Sequence, residues 1–159
     1  MDTALAQFGF SIEQLRAALQ ACCHPGVPRP GIGFQLDLGP SLQKHLSSSL
    51  AVDGIRTVST RYSSNLNENA DLAFGRDYNG PRVFFELEFR PNVEKDLVKF
   101  QIGANAGALA AAVLILAADR KCVNPAYTTM PEFAKFARVI TELQPTYPLL
   151  MLGFRGAHA

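Results

Sequence analysis

Residues 83–100 read VFFELEFRPNVEKDLVKF. The first half alternates. Side chains in a strand change face at every residue, so Val83, Phe85, Leu87 and Phe89 point one way and Phe84, Glu86, Glu88 and Arg90 the other. The second half changes period. Asn92 is placed to cap a helix, and Glu94 and Asp96 fall in its first turn, where the helix dipole favours acids. Val93, Leu97, Phe100, Ala104 and Ala108 make its apolar face. The small residues GANAG at 103–107 suit a close approach of the backbone to the sheet. The run Ala111 to Ala117 is continuously apolar, as a central strand covered on both faces is. The stretch therefore predicts a strand, a helix and a second strand.

Upstream, Ala70 to Phe74 (ADLAF) is a short strand and GRDYNGP at 75–81 a hairpin-type turn. The sequence VDGIRTVSTRY from Val52 alternates as a strand, with Asp53-Gly54 as turn chemistry at its start. Three strands joined by turns make an antiparallel meander. Ser11 caps a helix carrying Ile12, Leu15, Ala18 and Leu19, which ends near Cys23 at His24-Pro25-Gly26. Residues 24–41 read as a loop with a short strand at Gly33 to Leu38, and Leu42 to Leu50 fits more than one state. Downstream come a polar loop at 119–129, a helix from Met130 to Leu143 and a strand from Leu149 to Phe154. The order α-β-β-β-α-β-α-β predicts an α/β (mixed α+β) chain with one mixed sheet and helices on it, in a single domain over residues 1–159.

Bulk properties narrow the functional class. An apolar fraction of 48% with 18% charged residues belongs to a folded globular chain. A net charge of +1 excludes a global basic field. A local one remains, since Arg56, Arg61, Arg76, Arg82, Arg90, Lys95 and Lys99 fall within one stretch. The cysteines Cys22, Cys23 and Cys122 form no CxxC pair, and free thiols suit a reducing compartment. The N-terminus lacks a secretion signal, and the longest apolar run, 13 residues from Ala106 to Ala118, is too short for a bilayer span of about 17–25. A cytoplasmic protein without membrane partners is expected. His24, His45 and His158 have no metal-pair spacing, and PGIGF at 30–34 lacks the third glycine of a dinucleotide loop, so no organic cofactor is expected.

The chemistry on offer is acidic. Glu86 and Glu88 stand two residues apart, about 7 Å, and repel by about 2 kcal/mol at an effective dielectric near 20. Either the face meets water, or a cation relieves the repulsion. Phe84 on the same face speaks against water. Hard divalent ions such as Mg²⁺ take carboxylate oxygens, and a third carboxylate is at hand if the 75–81 turn brings Asp71 opposite Glu86. Asp77 reads as a turn residue and Asp53 as a weaker third choice.

The pieces ADLAF, VFFELEF, EKDLVKF and AAVLILAAD together resemble the PD-(D/E)xK nuclease core, and in particular the BglII/BamHI-like type II restriction endonucleases. The resemblance covers roughly residues 50–120. It implies a restriction-endonuclease-like core with helices on both faces of the sheet, and a Mg²⁺-dependent DNA endonuclease that also accepts Mn²⁺. Asp71 and Glu86 would be metal ligands. Glu88 stands where most of the superfamily has lysine, as a general base or further ligand, and Lys95 or Lys99 would supply positive charge from the helix. Phosphate contacts would come from Arg61, Arg76, Arg82, Arg90, Lys95 and Lys99, with Asn65, Asn67 and Asn69 as polar contacts in the 63–69 loop. Double-stranded DNA and a homodimer follow from the same resemblance. The other reading is a nuclease-like fold without catalysis, serving as a DNA-binding or protein-interaction module, which the missing lysine and the short chain favour.

Overall fold

Strand pairing closes the predicted hairpin in the predicted register. In the computed structural model, which describes residues 2–22, 32–50, 54–88, 93–117 and 133–154, β2 (Leu72–Gly75) runs antiparallel to β3 (Arg82–Glu88). Leu72 lies opposite Phe85 and Phe74 opposite Val83. β1 (Arg56–Thr57) pairs antiparallel with β2. β4 (Leu109–Ala117) lies parallel to β3, and β5 (Leu149–Phe154) parallel to β4. The result is a five-stranded mixed sheet in the order β1-β2-β3-β4-β5, with α4 (Val93–Asn105) between β3 and β4 in sequence and α5 (Phe133–Leu143) between β4 and β5. Among the described residues three further helices precede the sheet: α1 (Asp2–Ala6), α2 (Ile12–Cys22) and α3 (Ile32–Leu50).

The alternation in β3 sorts the core into two halves. Val83, Phe85 and Leu87, with Phe74, Val113 and Ile115, pack under Leu5, Leu15, Leu42 and Leu46 of α1 to α3. On the other side, Phe84, Ala112, Leu114 and Leu116 meet Val93, Leu97 and Phe100 of α4 and Phe136 of α5. Helices thus cover both faces, and β3 and β4 are buried on both sides, which is why β4 reads as an unbroken apolar run. The face of β3 that carries the glutamates is closed to water at Phe84, fully buried, and at Glu86, 3% exposed, and opens partly at Glu88.

Local chemistry explains the element ends. Ser11 and Gln14 form a reciprocal capping box, the Ser11 amide donating to Gln14 Oε1 (2.9 Å) and the Gln14 amide to Ser11 Oγ (3.1 Å). α4 stops at Gly107, whose φ of 68° suits glycine. The Ala108 amide donates to Gly103 O and the Gly107 amide to Ala104 O, a Schellman pair that turns the chain into β4 within three residues.

The sequence reading needs correction upstream of the sheet. Residues 32–50 are one helix, not a loop with a strand at 33–38. Leu38, Leu42, Leu46 and Leu50 repeat every four residues and all are buried, a helical stripe that outweighs Pro40 inside the helix. Of the strand expected from Val52 to Tyr62, the described residues form a regular ladder over Arg56–Thr57 only. Beyond it the segment stays against residues 68–73 through the Val58 amide to Ala73 O (3.1 Å), the Ala70 amide to Thr60 O (2.9 Å), the Tyr62 amide to Glu68 O (3.3 Å) and the Arg61–Asn69 bridge. Asp53, Phe89, Arg90, Asn92, the 119–129 loop, His24, His158, Cys23 and Cys122 lie outside the described residues. No helix among the described residues is long and apolar enough to cross a membrane.

Candidate active site at the end of the hairpin

Asp71 sits one residue before β2, and continuing the β2–β3 register by one step sets it against Glu86. Its amide donates to Phe85 O (3.1 Å). Its carboxylate accepts from the Leu87 amide at 2.7 Å, so it finishes the ladder where a backbone carbonyl would otherwise stand. Asp71 is thereby fastened to the residue between the two glutamates.

Glu86 projects from the middle of β3 into the layer below α4. Two donors converge on its Oε1: the Tyr62 hydroxyl at 2.6 Å and the Lys99 ammonium at 3.0 Å. Lys99 also donates to Asp96 Oδ1 at 3.1 Å, three residues back on α4. The pairs are well enclosed, with the side chains of Glu86 and Asp96 4% and 3% exposed and that of Lys99 12%. Asp96 Oδ2 is buried without a hydrogen-bond partner. Glu88, half-buried at the end of β3, neighbours Asp96 and bears on its titration.

The electrostatics follow from this crowding. Burial pushes the Glu86 carboxyl up to about 8, helped by the charges of Asp96 and Asp71 and opposed by the Tyr62 hydrogen bond and the Lys99 charge. Burial also raises Asp96, against the charge and hydrogen bond of Lys99. Burial alone would lower Lys99, but the charges of Glu86 and Asp96 together hold it above the usual lysine range. Burial and then the charge of Glu86 raise the Tyr62 phenol. Glu86 and Asp96 thus share the Lys99 ammonium, Glu88 neighbours Asp96, and the exposed Asp71 is tied to the Leu87 amide.

The structure brings Lys99 into the cluster with Glu86 and leaves Lys95 outside it, in a loose surface pair with Glu68 (3.9 Å). Arg61 and Arg76 are exposed. Arg82 is buried: it donates to Tyr78 O (2.9 Å) and Arg61 O (3.3 Å) and lies over the Phe84 ring, clasping the turn to the first strand. Asn65, Asn67 and Asn69 are exposed on the 63–69 loop.

Two members escaped the sequence reading. Asp96 had a readable signal. Val93, Asp96, Leu97 and Phe100 form the buried stripe of α4, and an acid on such a stripe needs a partner. Tyr62 had none, because the pairing that folds its segment back onto β3 is irregular. All six side chains of the cluster come from residues 62–99.

Among the described residues, no three His, Cys, Asp or Glu side chains stand together as a ready-made metal cage. Mg²⁺ is held through one or two carboxylates and completes its shell with water and substrate phosphates, and Asp71 and Glu86, opposite each other in the β2–β3 register, are the carboxylates that could hold it. The buried Asp96 Oδ2, without a hydrogen-bond partner, is what such an ion would relieve. Compared with known proteins, the chain matches no protein-family model and no curated protein sequence.

Proposed function

We propose that the chain is a divalent-metal-dependent DNA endonuclease built on a PD-(D/E)xK core of the BglII/BamHI-like kind, acting in the cytoplasm. The observation that carries this reading is the buried Glu86–Lys99–Asp96 network at the end of the β2–β3 hairpin, with Asp71 and Glu88 at its open side. A buried carboxyl raised as far as that of Glu86, beside a cation and a second buried acid, is a candidate for a functional site. The order of a three-stranded meander followed by a helix and a parallel strand is compatible with that core.

In this reading Asp71 and Glu86 hold Mg²⁺ or Mn²⁺. An ion held there would lower the pKa of a water and neutralise charge developing on the phosphate oxygens. Glu88, half-buried at the strand end, accepts the proton of the attacking water. Lys99 brings its positive charge from α4 and stands in for the lysine that most of the superfamily carries at the position of Glu88. Arg61 and Lys95, both exposed, meet the DNA backbone, which is bound through local positive charge. Cutting both strands of a duplex takes two such sites, hence a homodimer.

One observation favours a second reading. Lys99 already bridges Glu86 and Asp96, so the cluster can hold together without a metal, as in a non-catalytic DNA-binding module. Incubation of supercoiled plasmid and linear duplex with Mg²⁺ or Mn²⁺, beside calorimetric Mn²⁺ titrations of the wild type, Glu86→Ala and Glu88→Ala, separates the two. Nicking or cutting that disappears with either variant supports the nuclease. A folded protein that leaves DNA intact and takes up no Mn²⁺ ends that reading and leaves the module.

A further inference from the structure

Tyr62 is fully buried, and its hydroxyl donates to Glu86 Oε1 at 2.6 Å. The ring is wedged between Phe84 (centroids 4.5 Å apart) and Phe100 (6.0 Å). A phenylalanine would fill the same space, so packing explains the ring and leaves the hydroxyl unexplained. A hydroxyl donating to a carboxylate makes one of the shorter and stronger hydrogen bonds available to a side chain. Here it meets the same oxygen that Lys99 holds, so Oε2 is the oxygen that these two donors leave to a ligand.

The backbone is shaped to admit this ring. A Cβ on Gly103 would stand 2.9 Å from Tyr62 Cδ1 and 3.4 Å from Leu109 Cβ. Real side chains do not approach so closely, so either the ring or the helix would have to shift. Gly103 itself makes no contact with a carboxylate in the cluster's hydrogen-bond network.

We propose that Tyr62 is a positioning residue for Glu86, fixing the carboxylate so that it presents a ligand oxygen to a divalent cation, and that Gly103 is the seat that lets the tyrosine reach it. The proposal rests on the metal-dependent reading above and adds to it two residues that touch neither metal nor substrate. Partners that orient a ligand in this way typically contribute 10–100-fold to metal affinity.

The test is calorimetric titration with Mn²⁺ of the wild type, Tyr62→Phe, Gly103→Ala and the double variant, each with a thermal melt to establish folding. Tyr62→Phe should bind Mn²⁺ about 10–100-fold more weakly while remaining folded. Gly103→Ala should weaken binding in the wild-type background and have no further effect beside Tyr62→Phe, since its route runs through the lost hydroxyl. A purely structural tyrosine would lower the melting temperature and leave the affinity alone. Unchanged Mn²⁺ affinity in Tyr62→Phe overturns the proposal, as does a Gly103→Ala effect of equal size in both backgrounds. Should Gly103→Ala not fold, the near-isosteric Tyr62→Phe decides alone. A folded wild type that binds no Mn²⁺ removes the metal-dependent reading and this proposal together, whereas binding that Tyr62→Phe leaves intact removes this proposal only.

Discussion

Replacing Glu86 by glutamine keeps the shape of the side chain and the oxygen that Tyr62 and Lys99 hold, and removes only the ability to ionise. In the folded chain this carboxyl titrates at about 8, against 4.5 for the unperturbed side chain, chiefly through burial and then through the charges of Asp96 and Asp71. A raised folded pKa means that the native state binds the proton more tightly than the unfolded chain does. The resulting stabilisation is complete below pH 4.5, falls as pH rises, and is gone above about 8. At about 1.4 kcal/mol per pH unit, the gap corresponds to at most about 5 kcal/mol. Glutamine escapes this loss but gives Lys99 a weaker partner at high pH, so a net gain of about 2–4 kcal/mol is expected, roughly 5–15 °C in melting temperature for a chain of this length. Thermal melts of both proteins in chelator, at pH 5 and at pH 8.5, read the effect directly. The variant should match the wild type closely at pH 5 and exceed it at pH 8.5. A difference that stays constant across that window, or that turns against the variant as pH rises, refutes the argument that Glu86 is destabilised by its own charge.

Other substitutions probe the scaffold. Phe85→Ala empties a site where Phe10 and Phe74 pack against the ring at 5.6 and 5.7 Å; a loss of about 3–5 kcal/mol is expected in urea unfolding, with an unchanged m-value. Gly107→Ala meets no atom within 4 Å, so its cost is conformational, about 1 kcal/mol by the same measurement for a residue held at positive φ. Lys95→Ala breaks a pair whose side chains are 60% and 45% exposed and should leave stability within about 0.5 kcal/mol; a larger change in the urea midpoint would mean that the loop at 63–69 is braced more firmly than its geometry implies.

How far the sequence could be read depended on how local the signal was. The β3 alternation, the apolar run of β4 and the β5 segment all emerged because strand burial repeats every two residues or fills both faces. The Ser11 cap was equally local, a side chain and an amide three residues apart. α3 was hidden by Gly39 and Pro40, whose intrinsic preferences oppose a helix; the leucines at every fourth position reverse that only once a sheet is present to bury them. At the site, Asp71, Glu86 and Glu88 could be found because a hairpin converts sequence separation into register. Lys99 and Asp96 depend on how α4 rotates over the sheet, which fixes one lysine inward and leaves Lys95 outside. The same stripe that buries Val93 and Phe100 buries Asp96. Tyr62 depends on a bend after β1, and no short-range pattern encodes that.

All six side chains of the acidic cluster lie between Tyr62 and Lys99, while α1, α2 and α3 join the opposite core mainly through leucine and alanine, with Phe8 and Phe10 from the link between α1 and α2. This division has a genetic consequence. Damage to the N-terminal helices removes the protein itself, because it takes away the cover of one face. Changes that spare folding and silence the cluster should gather in the segment from Tyr62 to Gly103. A lineage could exchange the helices on that face for any others that bury the same leucine-lined surface and still inherit the cluster whole. If the cluster is the seat of activity, a mutational scan that scores activity and abundance separately should draw the boundary between them near Tyr62.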